Sequence, residues 1–299
     1  MKKNSRVGGR LLIGLVFLFL YAPILLLVVF SFNAGGSNVV WEGFSLRWYQ
    51  ELFQDRRMMT AVYNTLLVSV LATVISTAVG TITSVGLYGM KKRWREPILS
   101  VNNIPIMNAD IVTGVSLCIF FVAAIAGWND IVVGGWNGFV TFLEETFRRT
   151  LPRMSEVEMG FATLLLAHLS FDIPYVILNV LPKLRQMDSS LVDAAQDLGC
   201  TWPQAFWKVV VPEIKPGIVS GALIAFTMSI DDFVISYFTA GSTSTLSIEI
   251  YSMVRRRVSP ELNAVSTLLF VTVLVLLLII NVREARLEKR SAQVRTAEK

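Results

Sequence analysis

Six long apolar stretches, separated by shorter polar segments, dominate the pattern of hydrophobic and polar positions along the chain. A helix needs about 20 apolar residues to cross the hydrocarbon core of a membrane, and each stretch is long enough. The pattern predicts an all-α polytopic membrane protein, with six transmembrane helices in a single transmembrane domain over residues 1–299. The predicted spans lie near 11–32, 62–90, 98–127, 159–181, 218–238 and 263–282.

The charges indicate how the chain crosses the membrane. Segments 1–10, 91–97, 182–216 and 283–299 hold 18 of the 27 lysines and arginines, and because cytoplasmic loops carry the basic excess, both termini are predicted to be cytoplasmic. The first stretch is too long for a signal peptide and is predicted to be a retained span. The chain is too apolar for a soluble domain, with 54% hydrophobic residues and a mean hydropathy of +0.58. Its net charge of +5 is therefore interpreted as a topology signal, and the lipid bilayer rather than a nucleic acid is the predicted partner.

The segment 188–212, which this topology places in the cytoplasm, is polar and then amphipathic. Apolar residues at helical spacing, with Ser190 and Asp193 in capping-box register, predict a first short helix that ends at Gly199. Thr201 and Gln204 repeat the capping box, and Pro212 is expected to end the second helix. The apolar residues of the first helix are Leu191, Ala194, Ala195 and Leu198.

Four carboxylates lie within the predicted spans. A charged group at membrane depth costs roughly 2.5–3.5 kcal/mol, so these side chains should face protein or a water-filled path. Asp172 is expected to pair with His168, one helical turn away. For Asp110 and the adjacent Asp231 and Asp232, a cationic cargo is the simplest partner, because no lysine or arginine lies inside a span.

The outer side carries two further features. Trp48 belongs to an aromatic cluster that is typical of an interfacial belt, although the face of its indole ring could also contact a cation. The long outer loop 128–158 contains an apolar edge at helical spacing, which predicts a helix lying on the membrane surface.

The spacing of the cytoplasmic segment resembles the EAA loop of bacterial ABC importer permeases, with Asp193 in place of the family's glutamate. The runs YAPILLLVVFSFN, ADIVTGVSL, DAAQDLG and FTMSIDDFVIS extend the resemblance, over nearly the whole chain, to the second permease subunit of spermidine/putrescine importers. This resemblance implies a substrate path that includes Trp48, Asp110, Ser229, Asp231 and Asp232. It implies ATPase coupling through Asp193, Ala194, Ala195, Gly199 and Pro212.

The resemblance also implies the fold and the assembly. The fold would be that of a type I ABC importer permease (MetI-like), in the bacterial plasma membrane. The partners would be a homologous second permease, a dimer of ATP-binding subunits and an extracytoplasmic polyamine-binding protein. This chain would bind no cofactor and no metal, since ATP and Mg would be held by the ATPase.

Other functions stay open on the sequence alone. The same class of permease could import another cargo, such as ferric iron or an amino acid. A secondary transporter would usually need internal repeats and more spans. The chain contains no GxxxxGK[ST], HExxH or GxSxG run, so no catalytic residues are predicted.

Overall fold

The structure is a computed structural model that describes residues 2–36, 40–147, 152–188, 190–256, 261–275 and 278. Strand pairing in these residues is limited to an isolated bridge between Asn33 and Phe44, so the described chain is helical, as predicted. The helices are α1 (Lys2–Phe30), α2 (Arg47–Gln54), α3 (Arg56–Gly89), α4 (Lys92–Asn102), α5 (Ile104–Met107), α6 (Asp110–Trp128), α7 (Gly135–Phe147), α8 (Phe161–Gln186), α9 (Ser190–Asp197), α10 (Trp202–Ala205), α11 (Val211–Asp231), α12 (Val234–Thr239), α13 (Leu246–Arg256) and α14 (Glu261–Val275). Two π-helical turns, Asn129–Gly134 and Phe206–Val210, join α6 to α7 and α10 to α11.

Five helical stretches in the described residues are long and apolar enough to cross a membrane. They are Leu12–Phe30, Arg56–Gly89, Asp110–Glu145, Phe161–Gln186 and Trp202–Asp231. Helix α14 is apolar but shorter, and the predicted sixth span continues beyond it into residues outside the described part of the chain. Each predicted span thus overlaps an apolar helix.

Two predicted spans are divided in the structure. The stretch predicted at 98–127 is split among α4, α5 and α6, because the chain is extended at Asn108 and Ala109 before α6 begins at Asp110. The stretch predicted at 218–238 is split at Asp232, which separates α11 from α12. Both breaks place a carboxylate at a helix end inside an apolar region.

The chain forms two compact units, residues 1–59 with 249–299 and residues 60–248. The second unit is built around α8, which packs closely against α3 and α11. A Cβ atom on Gly80 of α3 would lie 2.7 Å from Val176, and one on Gly221 of α11 would lie 3.1 Å from the Val176 backbone. Small residues at helix crossings allow such close approach, and these two glycines fix the contact.

Helix α3 contributes the polar side of this packing. The sequence is rich in small and hydroxyl residues here, and Ser69, Ser76 and Ser84 are completely buried. One face of α3 therefore packs in the protein interior, while Val74 and Ile82 on the same helix are exposed. Cys118 and Cys200 are both free thiols.

The segment 128–158 differs from the predicted surface helix. Helices α6 and α7 are continuous through the first π-helical turn and form a helical stretch of 36 residues, Asp110–Glu145. At 1.5 Å per residue this is about 54 Å long, against a hydrocarbon core of about 30 Å, so the stretch is longer than a membrane span. Two asparagine side chains bind the non-helical segment that follows. Asn129 donates to the Val157 carbonyl and accepts the Val157 N–H, both at 2.9 Å, and Asn137 makes the same pair of bonds with Met154, both at 3.0 Å.

Candidate functional site

The break between α11 and α12 is organised by Asp232. Its backbone is extended, with φ −60° and ψ 124°, and its carboxylate caps α12. The Ser236 N–H donates to Oδ2 at 2.7 Å, and the Ile235 N–H donates to Oδ1 at 3.3 Å. The Ser236 hydroxyl also donates to Oδ2, at 2.7 Å. Asp232 therefore satisfies the free amides at the start of a short helix, a role that the sequence analysis did not assign to it.

A cavity of about 300 Å³ opens beside this break, within the second unit. Three carboxylates reach its wall: Asp110 at the start of α6, Asp231 at the end of α11, and Asp232. The other lining residues are Pro105, Ile106, Phe171, Tyr175, Met228, Phe233, Val234 and Ile235. The structure thus brings together three residues that the sequence predicted for one substrate path, and adds aromatic rings to them.

Close packing of α6 on α12 brings Asp110 to this cavity. A Cβ atom on Gly114, one turn beyond Asp110, would lie 3.0 Å from the Phe238 ring and 3.4 Å from the Ile235 backbone. Only glycine therefore leaves room for α12 at this crossing. Pro105 sits in the first turn of α5, and the chain becomes extended after it, so α6 starts again at the cavity wall.

The cavity wall carries carboxylates and no lysine or arginine side chain among the residues that line it. Asp110 and Asp231 are exposed, and neither makes an ion pair with any residue of the described chain. No lysine or arginine occurs in 96–147, 154–182 or 216–254, the segments that supply the wall. Carboxylates and aromatic faces are the groups that bind ammonium ions in proteins, so the cavity suits a small organic cation.

His168 forms the centre of a buried hydrogen-bond chain behind the cavity. Its side chain is 1% exposed; Nδ1 lies 2.6 Å from the Ser229 Oγ and Nε2 lies 3.0 Å from the Ser236 Oγ. Because Ser236 gives its only hydroxyl proton to Asp232, Nε2 must donate to Ser236 and Nδ1 must accept from Ser229. The chain ties α8 to α11 and α12, and places Ser229 in the protein interior, where it is 2% exposed, rather than on the cavity wall.

The expected pair between Asp172 and His168 does not form. Both ring nitrogens of His168 are occupied by serines, and neither oxygen of Asp172 has a hydrogen-bond partner among the described residues. The side chain of Asp172 is completely buried. The prediction was wrong because two hydroxyls on neighbouring helices compete for the imidazole, and sequence spacing along one helix does not reveal them.

Trp48 lies in the first unit and is partly exposed. Its Nε1 donates to the Asn33 backbone oxygen at 2.8 Å, and the Arg47 guanidinium lies 5.3 Å from the centre of its ring. The indole thus anchors a loop and already contacts a cation from its own chain. The interfacial interpretation and the role in cargo binding both stay predictions.

The segment 188–212 forms the two short helices that the sequence predicted, α9 and α10. Gly199 has a φ of +86°, which favours glycine, and the Gln204 Oε1 accepts the Thr201 N–H at 3.0 Å. Asp193, Ala194 and Ala195 lie on α9, with Asp193 exposed in its first turn. Four large apolar side chains of this segment are exposed: Leu198 is 88% exposed, Trp207 68%, Trp202 57% and Leu191 43%.

Two details of this segment differ from the prediction. The cap of α9 comes from Asp188, whose carboxylate accepts the Ser190 N–H at 3.0 Å, and this hydrogen bond lowers the pKa of Asp188. Pro212 does not end the second helix, because the π-helical turn before it carries the helix on into α11. A wider turn accommodates a proline that lacks an N–H and crowds the preceding turn.

Sequence reasoning missed the aromatic wall and the histidine chain. Phe171 and Tyr175 are four residues apart on α8, on either side of the buried Asp172, and this spacing was the available signal for a shared face. The partners of His168 come from residues 61 and 68 positions away, so no local pattern predicts them.

Comparison with known proteins gives a family and several relatives. The family described as binding-protein-dependent transport system inner membrane component matches residues 2–293. The putrescine transport system permease protein PotI of Escherichia coli (strain K12) is 37% identical over 261 residues, which cover 87% of this chain and 83% of that protein. The spermidine/putrescine transport system permease protein PotC of Haemophilus influenzae is 33% identical over 265 residues, with coverage of 88% and 91%.

A solved structure is similar in fold. A chain in the crystal structure of a bacterial ABC transporter involved in the import of the acidic polysaccharide alginate superposes with a TM-score of 0.63. The identity is 16%, and the match covers 95% of this chain and 96% of that chain. The overlap confirms the predicted fold class.

Proposed function

Because the chain belongs to the family of binding-protein-dependent transport system inner membrane components, we propose that it is a permease subunit of an ATP-driven importer of polyamines. The names of the relatives, which are putrescine and spermidine/putrescine permeases, support this cargo. In the assembly it would work with a second permease, a pair of cytoplasmic ATPase subunits and a binding protein outside the membrane. Membership of this family makes the chain a multi-pass inner membrane protein, and its orientation, with both termini in the cytoplasm, belongs to the proposal.

The single observation that carries the cargo class is the pair of unpaired carboxylates, Asp110 and Asp231, in a cavity walled by aromatic rings. A diamine brings two ammonium groups and an apolar linker, which match two carboxylates and rings such as Phe171 and Tyr175. No group of three or more carboxylate, histidine or cysteine side chains in the described residues is arranged to hold a metal ion. This favours an organic cation over ferric iron.

Attraction in this cavity would be strong enough to select a cation and weak enough to release it. Two unit charges about 4 Å apart gain about 1 kcal/mol in water and about 4 kcal/mol at an effective dielectric of 20. Asp110 and Asp231 are exposed, so the value for each contact lies nearer the lower figure. Opening the path to water would lower the attraction further and free the cargo.

The apolar surface of the 188–212 segment supports the proposed coupling to an ATPase. Leu198, Trp202 and Trp207 present a solvent-exposed hydrophobic surface on a segment that is otherwise polar. Exposed apolar clusters on polar surfaces mark sites of protein association. Asp193, Ala194, Ala195 and Gly199 would shape this surface, and Pro212 would connect it to the long helix that reaches the cavity.

Uptake into proteoliposomes tests the proposal. The complete assembly should import labelled putrescine and spermidine only when ATP is present on the side of the membrane that carries the ATPase subunits. Asp231→Asn should raise the KM for uptake about 5- to 30-fold, the equivalent of about 1–2 kcal/mol. Asp130→Asn, at an exposed carboxylate outside the cavity, is the matched control and should leave the KM unchanged. Uptake driven by an ion gradient without ATP would overturn the proposal in favour of a secondary transporter.

A further inference from the structure

Asp172 is the carboxylate that neither the fold nor the cavity accounts for. It lies in the middle of α8, is completely buried, and leaves both oxygens without a hydrogen-bond partner among the described residues. Buried polar groups are almost always hydrogen-bonded, and an unpaired buried carboxylate is the costliest exception. Such a group calls for a function in which it acquires a partner.

The carboxyl group of Asp172 lies directly behind the cavity wall. Phe171 and Tyr175, its neighbours on α8, both line the cavity. Tyr175 lies three residues after Asp172 on the same face of α8 and is half-buried, whereas Asp172 is completely buried. Tyr175 is therefore a cavity-lining side chain next to the hidden carboxyl group on α8.

The groups around Asp172 provide no cation of their own. His168, one turn before it on α8, uses both ring nitrogens for Ser229 and Ser236. Val176, one turn after it, fills the crossing with Gly80 and Gly221. No lysine or arginine occurs in 58–90, 154–182 or 216–254, which supply α8 and the helices packed on it. A positive partner for the ionised carboxylate would therefore have to come from outside these segments.

The neighbouring helix α3 supplies hydroxyls along the same stretch. Val68 packs with Leu164, and Gly80 meets Val176, so α3 and α8 run in one register that places Ser76 at the level of Asp172. The hydroxyls of Ser69, Thr77 and Thr81 on α3 are buried and have no hydrogen-bond partner in the part of the chain that the structure describes. A cation that reached Asp172 would therefore meet further oxygen atoms able to take the place of water.

From this arrangement we infer that Asp172 is a third cation-binding group of the translocation path, which is reached when the Tyr175 side chain moves and which takes the extra ammonium group of a triamine. The inference rests on the proposed function. Of the carboxylates at the cavity, Asp232 is committed to capping α12, which leaves Asp110 and Asp231 for the two ammonium groups of a diamine. Asp172 supplies the additional charge that spermidine needs and putrescine does not.

The exchange at Asp172 balances as a proton transfer. A carboxyl group buried without a partner costs least when it is neutral, so in this inference Asp172 would hold a proton until the cargo arrives. When the path opens, that proton passes to entering water, and the ammonium group takes its place beside the carboxylate. No charge is left uncompensated at either stage.

The test compares two cargoes in Asp172→Asn, which keeps the shape of the side chain and removes its charge. In the complete assembly, the KM for spermidine should rise at least 10-fold while that for putrescine changes less than 2-fold, and Asp172→Glu should restore most spermidine uptake. A merely structural role would change both cargoes equally. If Asp172→Asn does not assemble, Asp172→Ser provides the same comparison with a smaller side chain.

The outcomes separate this inference from the proposed function. The role of Asp172 alone is overturned if Asp172→Asn impairs uptake of both amines equally or of neither. It is also overturned if the wild-type assembly imports putrescine but not spermidine. A wild-type assembly that imports neither amine would overturn the proposed function and this inference with it. Selective loss of the triamine in a protein of unchanged thermal midpoint supports the inference.

Discussion

The adjacent residues Asp231 and Asp232 should differ in what the same substitutions change: transport at Asp231 and stability at Asp232. Asp231 is exposed at the cavity and forms no ion pair in the described chain, whereas Asp232 has a side chain only 10% exposed and accepts three hydrogen bonds from α12. Changing each residue to Asn and to Ala separates loss of charge from loss of the cap. We expect Asp232→Ala to destabilise the protein most.

The magnitude follows from the contacts of Asp232. Replacing an aspartate N-cap by alanine costs about 0.5–2 kcal/mol, and a buried N–H left without its acceptor costs about 1–3 kcal/mol. The Ser236 hydroxyl keeps its contact with His168, so it adds little, and the total is about 1.5–5 kcal/mol. Asparagine has one acceptor oxygen where both Asp232 oxygens accept, so Asp232→Asn can keep the two Ser236 bonds, loses the longer Ile235 bond, and should cost about 1 kcal/mol, less than Asp232→Ala.

Thermal unfolding of the four purified variants in lipid nanodiscs measures their relative stabilities. The midpoints of Asp231→Asn and Asp231→Ala should lie near that of the wild type, that of Asp232→Asn slightly below it, and that of Asp232→Ala well below them all. Uptake assays on the same variants should show that both Asp231 substitutions impair transport alike. Equal midpoints for Asp232→Asn and Asp232→Ala would refute the assignment of Asp232 as a cap.

Three further substitutions test the packing and the 188–212 segment. Gly80→Ala should destabilise by about 1–3 kcal/mol, because its Cβ would lie 2.7 Å from Val176, whereas Gly86→Ala on the same helix meets nothing within 4 Å and should be neutral or stabilising in the same unfolding assay. Gly199→Ala should cost about 1–2 kcal/mol through its φ of +86° and reduce ATP-driven uptake, with Gly199→Asn less harmful. Asp188→Ala should fray α9 in hydrogen exchange. The pKa of Asp188 is lowered in the folded protein, so its contribution to stability is fully present above the ordinary pKa of 3.8. That contribution is lost as the pH falls through the lowered native pKa, and the exchange rates of wild type and variant should become equal there.

The helices were predictable from sequence because apolar runs and caps are local. The two-helix form of the 188–212 segment follows from Gly199 and from the pairing of Thr201 with Gln204, all within a few residues. The continuation through Pro212 was not predictable, because proline normally ends a helix and only the wider π-helical turn accommodates it. Local rules therefore located this element and misplaced its end.

The candidate site was predictable in its charges and not in its contacts. Membrane depth alone singled out Asp110, Asp231 and Asp232, since burying a charge is costly wherever it happens. Which of them is free depends on tertiary packing: the cap on α12 engages Asp232, and two distant serines take His168 away from Asp172. These partners lie on other elements, so a pattern within one helix could not distinguish an open carboxylate from an engaged one.

One helical stretch connects the two functional regions of the chain. Trp202–Asp231 is a run of 30 residues, about 45 Å long at 1.5 Å per residue, with an exposed tryptophan at one end and a cavity carboxylate at the other. On the proposed function, a displacement of the 188–212 segment by an ATPase would therefore move Asp231 directly. The π-helical turn and two prolines, Pro212 and Pro216, lie between these ends, and each proline removes a backbone hydrogen bond from the stretch. The opposite end is held by the His168 contacts to Ser229, so motion of the stretch would strain the hydrogen-bond chain behind the cavity wall and help to open it.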